Sequence, residues 1–253
     1  MSTHSDDAGR AWIKTIDEAK GYNTIDAIAY RRLLSRMHNY AFFRATLRHL
    51  APGQSVLEAG CGWALTSFAL AERGIQSTAL DISGKLITDL TNLQRELGEP
   101  FSVHLQCVVG DIFHLDRLAG LFDAVCSDGT YEHFLEAEDR REILRNFRNS
   151  LTEKGKVMIA VPNLHNPFFS SAVDQKMPAM QPFTLMSLQR ELEQGGFRVM
   201  ETGYSFVNPG FEQWVKSRAI ILPVRIVNFF FRYLPRPLKK LVAAHLYVIA
   251  EKA

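Results

Sequence analysis

From Ser55 to Asn163 the chain alternates short apolar runs of strand character with segments of helical periodicity. That rhythm restricts it to very few architectures. "SVLEA" (55–59) reads as a strand, "LTSFALAER" (65–73) as a helix and "IQSTALD" (75–81) as a strand. Leu86, Leu90, Leu93 and Leu97 then recur at helical spacing until Gly98 and Pro100 stop the pattern. "FSVHLQCVVGD" (101–111) and "LFDAVCSD" (121–128) read as the third and fourth strands. A helix over 138–151 follows, turning Ile143, Leu144, Phe147 and Leu151 inward and leaving Arg141, Arg145 and Arg148 in solvent. "GKVMIAVPN" (155–163) is a fifth strand whose near-continuous apolar run fits burial on both faces. A helix at 184–194, a strand "FRVMETGY" (197–204) and a last strand "HLYVIAEK" (245–252) complete the series. Such alternation predicts an α/β fold with a mostly parallel sheet covered by helices on both faces.

Three segments fall outside this rhythm. Residues 24–50 read as helical, and 1–50 is expected to be an N-terminal helical lid on a main domain of 51–253. Residues 162–183, rich in Pro, Asn, Ser and Phe, and residues 205–243 are expected to be inserts covering a substrate site. In 211–243, seven basic residues (Lys216, Arg218, Arg225, Arg232, Arg236, Lys239, Lys240) face one acid, Glu212. Two readings stand for this stretch: a basic amphipathic surface on an anionic membrane, or lid helices that close a pocket or pair two copies of the chain. Pro223, Pro235 and Pro237 break any continuous helix there.

Composition closes off several classes. A 47% apolar content with 22% charged residues supports a sizeable core and argues against global disorder. The net charge of +2 lacks the basic bias of nucleic-acid binders, so no nucleic-acid partner is expected. Cys61, Cys107 and Cys126 form no CxxC pair, which points to reduced thiols and no zinc site. The N-terminus lacks a signal-peptide pattern, and the apolar stretch near 219–234 is interrupted by Pro223, Arg225, Asn228 and Arg232. A cytoplasmic protein is expected.

In an open parallel sheet, ligands bind beyond the carboxyl ends of the strands. Four successive strands here run into an acid: Glu58, Asp81, Asp111 and Asp128. The first strand leads into a Gly-x-Gly turn at Gly60 and Gly62. A dinucleotide fingerprint counted from Gly60 requires Gly or Ala where Leu65 stands, and no phosphate-loop GK[ST] exists. Glu58 beside the turn would repel a pyrophosphate. It suits a ligand with an ammonium tail and a sulfonium centre, which describes S-adenosylmethionine.

"VLEAGCGWAL" resembles motif I of the class I S-adenosylmethionine-dependent methyltransferases, with Ala64 in place of the third glycine. "ALDIS", "VVGDIFHL", "FDAVCSDGTYEHF" and "LTEKGKVMIAVPN" resemble the later motifs in order, and "FTLMSLQRELEQGGFRVM" the late helix and sixth strand. The resemblance covers 50–204 and 245–252 and implies a Rossmann-like, doubly wound sheet of seven strands with an antiparallel last strand. It implies S-adenosylmethionine as cofactor and S-adenosylhomocysteine as product. Glu58, Ala59, Gly60 and Gly62 would hold the methionine end. Asp81 would take the ribose hydroxyls and Ile82 the adenine face. Asp111 would accept from the adenine amino group beside Ile112, with Ser127 completing the cofactor set.

The sequence lacks the [DN]PP[YF] segment of amino-methylating enzymes of adenine or glutamine, and it lacks the Pro-Cys of the covalent cytosine route. A small-molecule acceptor remains, with oxygen expected as the acceptor atom and a role in natural-product or secondary metabolism. A lipid-linked glycan or quinone precursor is the alternative acceptor, and a non-catalytic cofactor-binding protein the alternative role. A hydroxyl acceptor needs its proton removed. His133 in "YEHF" is the first candidate base and His165 the second, whereas His104 and His245 fall inside strands and read as structural. A metal-dependent variant through Asp128, Glu132 and His133 stays open, although their spacing alone builds no metal site, and none is expected.

Overall fold

The computed structural model describes residues 26–119, 121–163, 166, 180–207 and 233–253. Their architecture is a seven-stranded sheet in the order β3-β2-β1-β4-β5-β7-β6. The strands are β1 (Ser55–Ala59), β2 (Gln76–Asp81), β3 (Leu105–Val109), β4 (Phe122–Asp128), β5 (Leu151–Pro162), β6 (Phe197–Val207) and β7 (Ala243–Lys252). The first five pair in parallel, while β7 runs antiparallel to both β5 and β6. This is the Rossmann-like, doubly wound sheet expected from the sequence.

Strand alternation divides the core into two layers. Val56, Cys126, Met158 and Ile249 face one side, with α1 (Ala27–Leu34), α2 (Ala41–Arg48), α3 (Leu65–Ala71) and α4 (Gly84–Leu97). Their neighbours Leu57, Val125, Val157 and Val248 face the other, with α6 (Ala137–Ser150) and α7 (Leu185–Gln194). In α4 the leucines at 86, 90, 93 and 97 are all buried, as their spacing requires. Each such side chain contributes roughly 1.5–3 kcal/mol on removal from water. Tyr30, Phe42 and Phe43 of the N-terminal helices are fully buried in the first layer, so residues 26–50 are built into the same core as the sheet.

Three local expectations are corrected. Residues 27–48 form two helices joined by a short turn at Met37–Asn39, in place of one helical stretch. The segment 101–111 does not start as a strand: Phe101–His104 is a helical turn (α5), and only Leu105–Val109 joins the sheet. Phe101 is buried there against Phe68, and the Gln94 side chain donates to the carbonyls of Phe101 and Leu105, so packing overrides the strand-like pattern. His104 therefore lies outside the strand. Third, β6 runs on to Val207, past the expected start of the second insert. Pro237 lies in the first turn of α8 (Arg236–Val242), where a missing N–H costs nothing, so the helix starts at Pro235 and Pro237 and does not run through them. Residues 164, 165, 167–179 and 208–232, with His165 and most of both inserts, lie outside the described residues.

Candidate functional site

Parallel register brings the strand-end acids to one edge. Glu58 pairs with Cys126, which puts Asp128 two residues further along β4. Asp81 pairs with Val109, so Asp111 stands just past the end of β3. The Gly110 amide donates to the Asp81 carbonyl at 3.0 Å and fixes that end of β3.

The turn after β1 is wound tightly at this edge. Gly60, Gly62 and Ala64 all have positive φ, at 70°, 50° and 52°. The Gly60 and Cys61 amides both donate to the Leu80 carbonyl at 2.9 Å, locking the turn onto β2. A Cβ on Gly60 would collide with the Thr130 side chain, so only glycine fits against the segment that follows β4. The Thr130 hydroxyl in turn donates to the Gly60 carbonyl at 2.8 Å.

Asp81 is buried and clamps two loops. Its Oδ2 accepts from the Gly62 amide at 3.0 Å and its Oδ1 from the Ser83 amide at 2.9 Å. Glu58 reaches α3, whose N-cap position is held by Ala64 and lacks a side-chain cap. The Glu58 Oε2 accepts from the Ser67 amide at 2.7 Å and supplies that cap from a neighbouring strand. Burial nevertheless pushes the Glu58 carboxyl up to about 7, the bonds from Ser67 drawing it part of the way back and the charge of Asp128 adding to the rise.

At the other end, Asp111 Oδ1 accepts from the Phe113 amide at 2.9 Å, and Oδ2 lies 3.3 Å from His114 Nδ1. Asn146 of α6 donates to the carbonyls of Ile112 and Phe113, which holds Ile112 buried beside this acid. Ile82 is half-buried directly after Asp81, and Ala59 and Ser127 are buried in β1 and β4. Every cofactor residue expected from the sequence thus lies at or just behind the carboxyl ends of β1 to β4. Cys61 and Cys126 are buried, free thiols, and burial pushes both well above the ordinary thiol range, as befits fillers.

His133 is half-buried at the end of a single helical turn, Tyr131–His133, that follows β4. Arg140 of α6 holds this turn: it pairs with Glu191 at 3.0 Å and donates to the carbonyls of Phe134 and Leu135, while the Tyr131 hydroxyl donates to Glu191. The local pattern revealed neither this brace nor a second group, composed of Tyr40, Asp128, Glu132 and His245. The Tyr40 hydroxyl donates to Asp128 Oδ1 at 2.7 Å and lies 3.5 Å from His245 Nδ1. His245 is in β7 as expected, yet it stands at this polar cluster and not in a purely apolar layer. Desolvation lowers it to about 4 and so keeps it neutral. Among the described residues no three His, Cys, Asp or Glu side chains converge as a metal-holding set.

Residues 57–159 match the methyltransferase domain family. That match and the sheet order together support a class I S-adenosylmethionine-dependent methyltransferase. No curated protein matches it in sequence. Among solved structures it is similar to a geranyl diphosphate methyltransferase in complex with geranyl diphosphate and sinefungin (13% identity, TM-score 0.64, all of both chains covered at 100%). It is also similar to a SAM-dependent methyltransferase from Archaeoglobus fulgidus (19% identity, TM-score 0.61, 88% of this chain and 94% of that one). The [4+2]-cyclase SpnF shares the fold as well (13% identity, TM-score 0.60, 99% and 97% covered), so the fold by itself does not fix the reaction.

Proposed function

We propose that this methyltransferase binds S-adenosylmethionine at the carboxyl ends of β1 to β3 and transfers its methyl group to a hydroxyl of a small-molecule acceptor. The observation that carries the reading is the Asp81 clamp on Gly62, which joins the glycine turn to an acid at the end of the next strand. A carboxylate oxygen accepts more than one hydrogen bond, so the Asp81 clamp is compatible with a bond from a ribose hydroxyl. Glu58, held near 7 by burial, gains a partner when it faces an ammonium group and ionises there. Asp111 offers an acceptor to the adenine amino group, with Ile82 and Ile112 against the ring.

The bound cofactor supplies an electrophilic methyl group on a sulfonium. The chain's part is to hold the acceptor in line with it and to receive the acceptor's proton. His133, at the edge where β4 ends, is the proposed base. A cytoplasmic enzyme of natural-product or secondary metabolism fits this reading.

Calorimetric titration with S-adenosylmethionine tests the cofactor reading, and no binding by the wild-type chain sinks it. Release of S-adenosylhomocysteine across a panel of phenols, alcohols, amines and carboxylic acids then tests the acceptor. Turnover confined to amines would replace oxygen with nitrogen.

A specific observation favours one further acceptor class, a lipid-linked glycan or quinone precursor met at a membrane surface. In and near α8, Tyr233, Leu238 and Leu241 are exposed beside Lys239 and Lys240. No helix among the described residues is long and apolar enough to cross a membrane, so this contact would be peripheral. Sedimentation with anionic vesicles at low salt supports it, and an absence of binding removes it.

A further inference from the structure

Glu132 stands in the turn after β4 and is only 2% exposed. Its Oε2 is buried without a hydrogen-bond partner. An unmet polar atom of this kind is costly to bury, more so for a charged group, and calls for a compensating role. The segment carrying it is held firmly: the Gln181 amide donates to the Glu132 carbonyl at 2.7 Å, and Arg140 fixes the carbonyls of Phe134 and Leu135 just beyond.

Glu132 shares its surroundings with Asp128. The Tyr40 hydroxyl lies among the acids: it donates to Asp128, and the charges of Asp128, Glu132 and Glu58 all raise its pKa further after burial. The row thus runs from Glu58 at the glycine turn through Asp128 to Glu132, each neighbour pushing on the next. Among the described residues no positive charge answers the outer two. His245, facing them from β7, is neutral, and Tyr40 spends its proton on Asp128. Arg140 is committed to Glu191, and among the described residues neither Asp128 nor Glu132 forms an ion pair. Burial consequently lifts Asp128 to about 6 and Glu132 to about 8. Two carboxyls that feel each other's charge, one with a buried oxygen lacking a partner, would be met by a cation between them.

We propose that Asp128 and Glu132 form a cation-binding subsite that takes an organic ammonium group carried by the methyl acceptor. This rests on the reading of Glu58 as the seat of the donor's own ammonium, which leaves the outer pair for a second positive charge. A soft, monovalent ammonium fits better than a metal ion. One Asp128 oxygen is already tied to Tyr40, and no convergent set of metal ligands exists among the described residues.

The test is calorimetric titration of the full chain, saturated with S-adenosylhomocysteine, using choline chloride and its uncharged isostere neohexyl alcohol. Choline is expected to bind at least about tenfold tighter than the alcohol. At about pH 7, measured in two buffers of different ionisation enthalpy, choline binding should release close to one proton as Glu132 ionises. Glu132→Gln should abolish that release and weaken choline about tenfold, with S-adenosylmethionine binding changed by less than about twofold. Asp128→Asn, the second variant, should also weaken choline. Equal binding of choline and the alcohol, or binding of neither, overturns the subsite. So does a Glu132→Gln variant that loses S-adenosylmethionine as much as choline, since the acid then serves the donor. A wild-type chain that binds no S-adenosylmethionine would instead fail the cofactor reading, a separate result.

Discussion

The Tyr40 hydroxyl donates to Asp128 Oδ1 at 2.7 Å, joining the start of α2 to the carboxyl end of β4 across 88 residues of chain. The N-terminal helices are thereby tied to the edge where the acceptor is expected, and the bond holds down the Asp128 pKa against the upward push of burial. Tyr40→Phe removes the bond and leaves the ring in place. Above the Asp128 pKa it should cost about 1.5–3 kcal/mol, read as a lower urea midpoint at alkaline pH and a smaller loss in acid. An equal loss at both ends of the range would show that the Asp128 charge is not engaged.

Asp81 holds two loops of the fold and is the proposed ribose ligand. Asp81→Ala leaves the amides of Gly62 and Ser83 without their acceptor, at about 1–3 kcal/mol each, and removes the proposed ribose contact. S-adenosylmethionine affinity should fall by about 100-fold by calorimetry, with a lower melting temperature. Unchanged affinity in a folded variant would remove Asp81 from the site.

The left-handed backbone at Ala64 sets the limits of motif I. Ala64 has φ 52° and is fully buried. Replacement by glycine relieves about 1–2 kcal/mol of backbone strain and forfeits about 0.8 kcal/mol of buried methyl. Ala64→Gly should therefore change stability by no more than about 1 kcal/mol. Ala64→Val places a β-branched side chain at positive φ in a packed site and should cost about 3 kcal/mol or more by denaturant titration. If both variants behaved alike, the left-handed turn would not be the constraint.

The desolvated acids also set the sign of the pH dependence. Glu58, Asp128 and Glu132 are all raised in the folded state, to about 7, 6 and 8, so the folded chain holds protons that the unfolded chain has lost. Their contribution is full below the ordinary carboxylate range and is lost as pH rises through the folded values. His245, lowered to about 4 from 6.5, acts in the opposite sense only below its ordinary value. Cys107, raised to about 11 from 9.0, acts only near and above the ordinary thiol range. Between about pH 6.5 and 8 the acids alone remain, and stability should fall by about 1 kcal/mol or more, a drop of about 2–4 °C in melting temperature. Glu132→Gln should flatten that slope, and a melting temperature that rises across the window would contradict the assignment.

Much of the proposed donor site could be named from the sequence because its signals are local. Gly60, Gly62, Asp81 and Asp111 stand in short motifs whose spacing follows from strand length and turn geometry, and the helical leucines at 86, 90, 93 and 97 depend only on neighbours within a turn. Where local pattern misled, a tertiary partner was the cause: Phe101 packs on Phe68, and a strand-like segment begins as a helical turn. His133 was named from its place after β4 and Glu132 was weighed beside it only as a metal ligand, whereas its burial and its unmet oxygen depend on tertiary packing.

The sequence by itself determined the alternation of strands and helices, the glycine turn and the strand-end acids, since each follows from periodicity and backbone preference. Tertiary structure decided which groups meet. Strand order brings β4 beside β1 and β7 beside β5, placing Glu58, Asp128 and His245 along one edge. Tyr40 then meets Asp128 and His245 from 88 and 205 residues away. Such encounters depend on register and on burial in a low-dielectric interior, and neither is written in any short window of the chain.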